Sequence, residues 1–331
     1  MKLVQFAAAV IAFALFTAAQ AQQPVVVKFS HVVTDETPKG KGAIRFKELA
    51  EAKTKGRVKV EIYPNSQLYK DREELEALQL GAVQMLAPSV SKFGPLGVRK
   101  FEVFDLPYMF DDERSLERVV EGPVGKGLFK LLEPKGIVGL AYWFNGFKEF
   151  TANKPLRKLD DFKGLKIRIQ SSKILEGEIK AFGAIPQVMA FSEVYQALQT
   201  GVVDGTENPP SNFYTQKMHE VQKYLALTDH GVIEYAVITN KKFWDGLPAD
   251  VRTTLEGAMK DATKYANDIA KKENDEALAA VKASGKTEII ALTPSEKAAW
   301  RKAALAVHKE NESRIGKDII ESVYKETGFK P

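Results

Sequence analysis

Cysteine is absent from this chain of 331 residues. Its absence excludes disulfides, thiol catalysis and zinc-thiolate sites together, so the fold rests on its apolar core. Histidine is scarce: His31, His219, His230 and His308 are the only four, and none stands at metal-ligand spacing. No metal and no other cofactor is expected. The sequence has no Gly-x-Ser-x-Gly elbow. Its most glycine-rich stretch, Gly122-Pro123-Val124-Gly125-Lys126-Gly127, departs from dinucleotide and P-loop spacings and reads as a turn and helix start. The acidic pairs Asp111-Asp112 and Asp160-Asp161 stand in turn-like contexts where helix capping accounts for them. No catalytic constellation is legible, and an enzyme is not expected. A dominant charge is missing too: 48 Lys and Arg against 43 Asp and Glu leave +5. The basic residues alternate with acidic ones along stretches such as Asp261 to Glu276, the pattern of a solvated helix face. A nucleic-acid partner is not expected.

Long hydrophobic runs are missing except at the start. Lys2 precedes an apolar run from Val4 to Phe16, and Ala19-Gln20-Ala21 forms a small-x-small cleavage site. Residues 1–21 therefore read as a secretory signal peptide, so the mature chain, from about Gln22, is expected to be secreted without membrane insertion. Removing Lys2 lowers the formal charge from +5 to +4. The remaining length suits two domains of ordinary size.

What the chain does contain is a repeat. Ala77-Leu78-Gln79-Leu80-Gly81-Ala82-Val83-Gln84 returns 120 residues later as Ala197-Leu198-Gln199-Thr200-Gly201-Val202-Val203-Asp204, with five identities in eight positions. Each copy reads as a helix running into glycine and then a short apolar strand, followed by a polar segment containing proline. Around the first copy, strands at Val25–His31, Val58–Tyr63 and Val83–Ala87 alternate with helices at Pro38–Lys55 and from Asp71, the latter carrying Leu75, Leu78 and Ala82 on one face. That β-α-β-α-β order implies a mostly parallel sheet. Glu121–Glu133 reads as helical, and Ile137–Trp143 and Leu165–Gln170 as strands. Around the second copy, helices Ile174–Phe182 and Ser192–Gln199 alternate with strands Pro186–Met189 and Val202–Asp204. Two similar α/β halves imply two lobes with a cleft at their strand ends. The halves meet between Tyr142 and Phe150. From Pro248 to about Lys282 a helical pattern runs without internal proline, long enough at about 1.5 Å per residue to span both lobes. Thr293-Pro294-Ser295-Glu296 is a capping box that opens a last helix.

Several segments then resemble one family: Ser30-His31-Val32-Val33, Asn65 to Arg72, Phe104-Asp105-Leu106-Pro107-Tyr108, Gly164 to Arg168, and Phe191 to Asn212. They resemble the dicarboxylate-type (DctP) substrate-binding proteins of tripartite ATP-independent periplasmic (TRAP) transporters, in order from about Val27 to Trp300. The resemblance implies a two-lobed α/β periplasmic binding protein fold, type II-like, with a long helix spanning both lobes. It divides the mature chain into a first lobe of 22–145 plus about 232–272 and a second of 146–231 plus about 273–331. It implies a receptor, monomeric, that closes on a small organic acid and hands it to the integral membrane subunits of a TRAP transporter.

Arg168 is the leading candidate for the ligand anchor. It ends a strand of the second lobe, and its planar guanidinium matches a carboxylate with two parallel hydrogen bonds. Family members use the arginine of this motif in that way. The repeat itself places Ser89 and Asn208 at corresponding strand ends, facing each other across the cleft. The resemblance adds Phe191 as an aromatic packed over the ligand and Lys148 as a second cation, which together with Arg168 suits a C4-dicarboxylate such as malate, succinate or fumarate. His31 ends the first strand and is a candidate donor to the distal carboxylate. Lys70, Lys92, Trp143, Asn212, His230 and Tyr235 complete the candidate set. A 2-oxo, aromatic or sugar acid as ligand, and a sensor kinase as the downstream partner, stay open on the sequence.

Overall fold

The computed structural model describes residues 23–331. The expected signal peptide, residues 1–21, lies outside them. Val25–Ser30 forms β1, and β2 (Val58–Tyr63) pairs with it in parallel, from Val25 opposite Val58 to Ser30 opposite Tyr63. The crossover is the helix Pro38–Lys53. Thr37 caps it by accepting the Gly40 amide, and proline fills the first turn, where no donor is needed. β3 (Met85–Leu86) joins β1 in parallel on the other side, and β4 (Ile137–Phe147) closes the edge of this sheet. The chain then crosses to a second sheet, built from β5 (Glu149–Ala152), β6 (Lys166–Ile169), β7 (Ile185–Val188), β8 (Gly205–Asn208) and β9 (Tyr224–Leu227). It returns through β10 (Val232–Asn240), antiparallel to both β3 and β4, and ends its strands with β11 (Glu288–Ala291) beside β9. The sheet orders are β2-β1-β3-β10-β4 and β11-β9-β5-β8-β6-β7.

Two crossings lie side by side. Only Lys148 separates β4 from β5, and residues 228–231 separate β9 from β10. The Lys148 amide donates to the Gly231 carbonyl at 2.9 Å, which ties the two crossings into one hinge. The helix Ala249–Ser284, 36 residues without a break, runs past this hinge. Its Val251, Leu255, Ala258, Met259 and Ala262 pack into the core of the first sheet with Phe29 and Phe46, whereas Val281 packs with Val194, Leu198 and Phe213 of the second lobe. Where it passes the hinge, Asn267 accepts the Phe144 amide at 3.0 Å and Asn274 accepts the Ser211 amide at 3.0 Å.

Four expectations need correction. The second repeat copy continues as a turn, not a strand, over 202–204, and the strand is the polar run β8 that follows it. That run is central between β5 and β6, so its backbone is paired on both sides and its polar side chains are buried. In the first copy, positive φ at Gly81 ends the helix at Gln79, so Ala82 lies outside the helix and exposed, and the helix starts at Glu74 instead of Asp71. The helix expected at Glu121–Glu133 covers only Pro123–Lys130, and Gly122 before the proline separates it from a preceding helix, Glu113–Glu121, that was not expected. Finally, the C-terminal segment does not stay with the second lobe. Ile315, Ile320, Val323 and Phe329 join the cluster of Phe93, Phe101 and Phe104, fastened by Arg314 on Glu102 and by His308 on the Pro107 carbonyl.

Candidate functional site

The strand ends of both lobes converge on a narrow cavity between the two sheets. From the first lobe come Asp71, Ser89, Lys92 and Tyr235, with the apolar faces of Val32, Val33 and Ile233. The second lobe contributes Arg168, Gln170, Phe191, Asn208 and Asn212. The space between these side chains amounts to about 290 Å³, part of it open to solvent. It is a slot, not a bowl.

Arg168 is 1% exposed, and it stands second to last in β6. Its Nε and Nη2 both donate to the Met189 carbonyl, at 3.1 and 2.9 Å, so the guanidinium is held by one edge. Nη1 has no acceptor among the described residues, and the free edge is the one suited to a carboxylate. Phe191 lies beneath, its ring centre 5.5 Å from the guanidinium carbon. Burial works against the Arg168 charge and lowers its pKa, while Asp71 and Glu207 support the charged form.

Asn208 ends β8. Its carbonyl oxygen accepts from Asn212 at 3.2 Å, which fixes the amide so that Nδ2 is a buried donor without a partner among the described residues. Asn212 also donates to the Tyr235 hydroxyl at 3.2 Å and accepts from Asn145 at 3.2 Å, linking the two lobes through one side chain. Ser89 lines the same cavity from the first lobe, its hydroxyl donating to Ser91 at 3.1 Å. Lys92 is buried between Asp71, at 2.8 Å, and Glu74. Burial opposes its charge, but the two carboxylates outweigh burial and raise its pKa above the ordinary lysine value. Behind Tyr235, Lys39 sits 3.6 Å over the ring; burial, aided by Lys92, lowers its pKa to about 7.

Seven of the twelve expected residues therefore meet in one cavity, and five stand elsewhere. Lys148, at 2% exposure, is paired with Glu207 at 2.9 Å and does not line the slot. His230 stacks on Phe150 at 3.8 Å and bonds Thr228 at 2.7 Å in the same buried polar cluster. Burial and the neighbouring Lys148 depress its pKa, so it is neutral. His31 is buried beside Phe29, with its pKa lowered to about 3 by burial and by Lys39. Trp143 is core, its indole nitrogen spent on Thr263 at 2.8 Å. Lys70 is an exposed cation paired with Glu193 at 3.0 Å. Asp71 was read only as a helix start, yet it lines the slot and binds both Lys92 and the Phe191 amide. Nothing local in the sequence separates a helix-start aspartate from one that reaches the other lobe.

A slot between two α/β lobes, with a half-engaged arginine and an unpaired amide donor, is built to hold a small anion. The sequence model of the DctP family, described as bacterial extracellular solute-binding protein, family 7, matches residues 29–314. The chain belongs to this family. Among its relatives, the C4-dicarboxylate-binding periplasmic protein DctP of Rhodobacter capsulatus is 65% identical over 301 residues, 91% of this chain and 90% of that protein. A TRAP periplasmic solute-binding protein from Shewanella oneidensis, solved with bound succinate, is 42% identical with a TM-score of 0.90, covering 92% of this chain and 99% of that one. Another from Pseudomonas aeruginosa PAO1, solved with bound L-malate, is 44% identical with a TM-score of 0.85, covering 87% and 100%. This DctP-family chain thus has the two-lobed binding protein fold and the role of a TRAP solute receptor, and the family is one of receptors, not enzymes.

Proposed function

We propose that the protein is a periplasmic receptor for a C4-dicarboxylate, which it captures by closing its lobes and passes to TRAP membrane subunits. The observation that carries this reading is the free edge of the Arg168 guanidinium in a slot-shaped cavity. In it, Arg168 takes one carboxylate with two hydrogen bonds, Asn208 Nδ2 donates to the same group, and Phe191 supports the guanidinium from below. The distal carboxylate lies toward the first lobe, where Lys92, already shared between Asp71 and Glu74, is the first-lobe cation that lines the slot. Lys148, which the resemblance favours for that role, is paired with Glu207 and is not among the residues that line the slot, so it stabilises the hinge instead. A narrow slot favours a thin four-carbon chain over the ring or the hydroxyl-studded chain of a sugar acid. The succinate- and malate-bound relatives at 42% and 44% identity support the same ligand class.

The mechanism follows from two-sided contact. A ligand that bridges Arg168 and Lys92 binds the closed form better than either open lobe, so it shifts the equilibrium toward closure. Micromolar affinity needs about 8 kcal/mol, which two charge-assisted anchors and burial can supply. The lobe boundaries at 145/146 and 231/232 belong to this proposal, with the paired crossings at Lys148 and 228–231 as the hinge. Arg168→Ala is expected to weaken succinate binding at least about tenfold in titration calorimetry, the loss of one charge-assisted contact or more. Unchanged affinity would remove Arg168 as the anchor.

A further inference from the structure

Three consecutive side chains of the first lobe reach across the cleft to one short segment of the second. Lys70 pairs with Glu193 at 3.0 Å, the Asp71 carboxylate accepts the Phe191 amide at 2.8 Å, and Arg72 donates to the Val188 carbonyl at 3.4 Å. The outer two contacts are exposed, where such pairs contribute little. Asp71 differs. Its side chain is mostly buried, and its second oxygen is held by Lys92 at 2.8 Å, with Lys92 in turn anchored on Glu74. The carboxylate is thus fixed within its own lobe before it meets the other.

What Asp71 grips matters more than that it grips. The segment 188–193 carries the Met189 carbonyl that holds Arg168 by its Nε and Nη2, and the Phe191 ring that lies beneath the guanidinium. The element fastened by the first lobe is the element that aims the second lobe's arginine. We propose that Asp71 is a closing latch, a positioning residue that joins the lobes independently of ligand and makes closure and the final orientation of Arg168 a single event. The proposal rests on the reading of Arg168 as the carboxylate anchor. A closing contact that needs no ligand raises the population of the binding-competent form, so less of the ligand's binding free energy goes into moving the lobes. Ligand release then requires breaking a contact outside the ligand.

The absence of cysteine makes this directly measurable. Leu80→Cys and Val202→Cys, at 79% and 56% exposed tips of the two repeat copies, place one spin label on each lobe of the full mature chain. In the ligand-free protein, Asp71→Ala is expected to move the interlobe distance distribution toward longer separations. Asp71→Asn, which keeps an acceptor for Phe191 but loses the charge that faces Lys92, is expected to fall between. With succinate as the probe, dissociation in stopped flow is expected to quicken about tenfold in Asp71→Ala while association changes little. Arg72→Ala removes only an exposed contact of the same cluster and gives a smaller shift of the same sign, which keeps the test open if the Asp71 variants fold poorly. Unchanged distances in all three variants overturn the latch. So does tighter succinate binding by Asp71→Asn at unchanged distances, which would make Asp71 a charge that opposes the ligand. If Arg168→Ala retains its affinity, the anchor reading fails on its own, and the ligand-free distances still judge the latch.

Discussion

At the scale of single residues, position along a strand decided what was legible. Arg168, Asn208 and Ser89 stand at or beside strand ends, where an open α/β sheet presents side chains to its crevice, and all three line the slot. Lys148 follows the same logic and still lies elsewhere, because its partners Glu207, Glu178 and Asp105 come from three distant segments that no local pattern connects. Lys148 and Asn208 can be told apart by experiment. Lys148→Ala leaves Glu207 buried without its cation and is expected to cost about 3–5 kcal/mol in chemical denaturation. Asn208→Ala is expected to leave stability nearly intact and weaken succinate binding roughly tenfold, the worth of one hydrogen bond to a charged group. Glu178 supplies the pH dependence. Burial raises its pKa to about 8 from an ordinary 4.5, against the opposing pull of Lys148, with Glu207 and Asp105 adding to the rise. Because the folded form holds the proton more tightly, its contribution is intact below about 4.5 and lost as pH climbs to about 8. Glu178→Gln is expected to match the wild type in thermal unfolding at pH 4 and to melt on the order of a few degrees higher at pH 8.

At the scale of elements, apolar periodicity located helices well and the buried polar strand badly. The helix Ala249–Ser284 and the capping box at Thr293 were plain from the sequence because each is a local pattern. β8, with the sequence Gly-Thr-Glu-Asn, has no apolar alternation at all; it is a strand because β5 and β6 pair with it from both sides, and its Glu207 meets Lys148 at the hinge while Asn208 lines the slot. Gly146 marks where β4 turns toward the hinge. Its φ of +146° is one that residues with a Cβ rarely adopt, and a Cβ there would lie 2.6 Å from Asn274 Nδ2 and 2.9 Å from Pro209. Gly146→Ala is expected to destabilise the protein by about 1–3 kcal/mol from the backbone alone. The same change displaces Asn274 from the Asn145 carbonyl, so ligand affinity is expected to fall with stability.

At the scale of the whole molecule, the duplication provides two walls and the departures from it provide chemistry. Ser89 and Asn208 lie on the segments that follow the two copies and both line the slot, whereas Arg168 and Asp71 lie on other segments. The hinge, the latch and the anchor lie on different segments, and only the fold brings them to one cleft. The central claim is that this cleft selects a small dicarboxylate through Arg168 and the shape of the slot. Titration calorimetry of the mature protein against succinate, L-malate and fumarate, beside galactonate and benzoate, tests it most directly. The expected result is micromolar or tighter binding of at least one C4-dicarboxylate, about a hundredfold stronger than either monocarboxylate. Galactonate or benzoate binding more tightly than all three dicarboxylates would contradict the account.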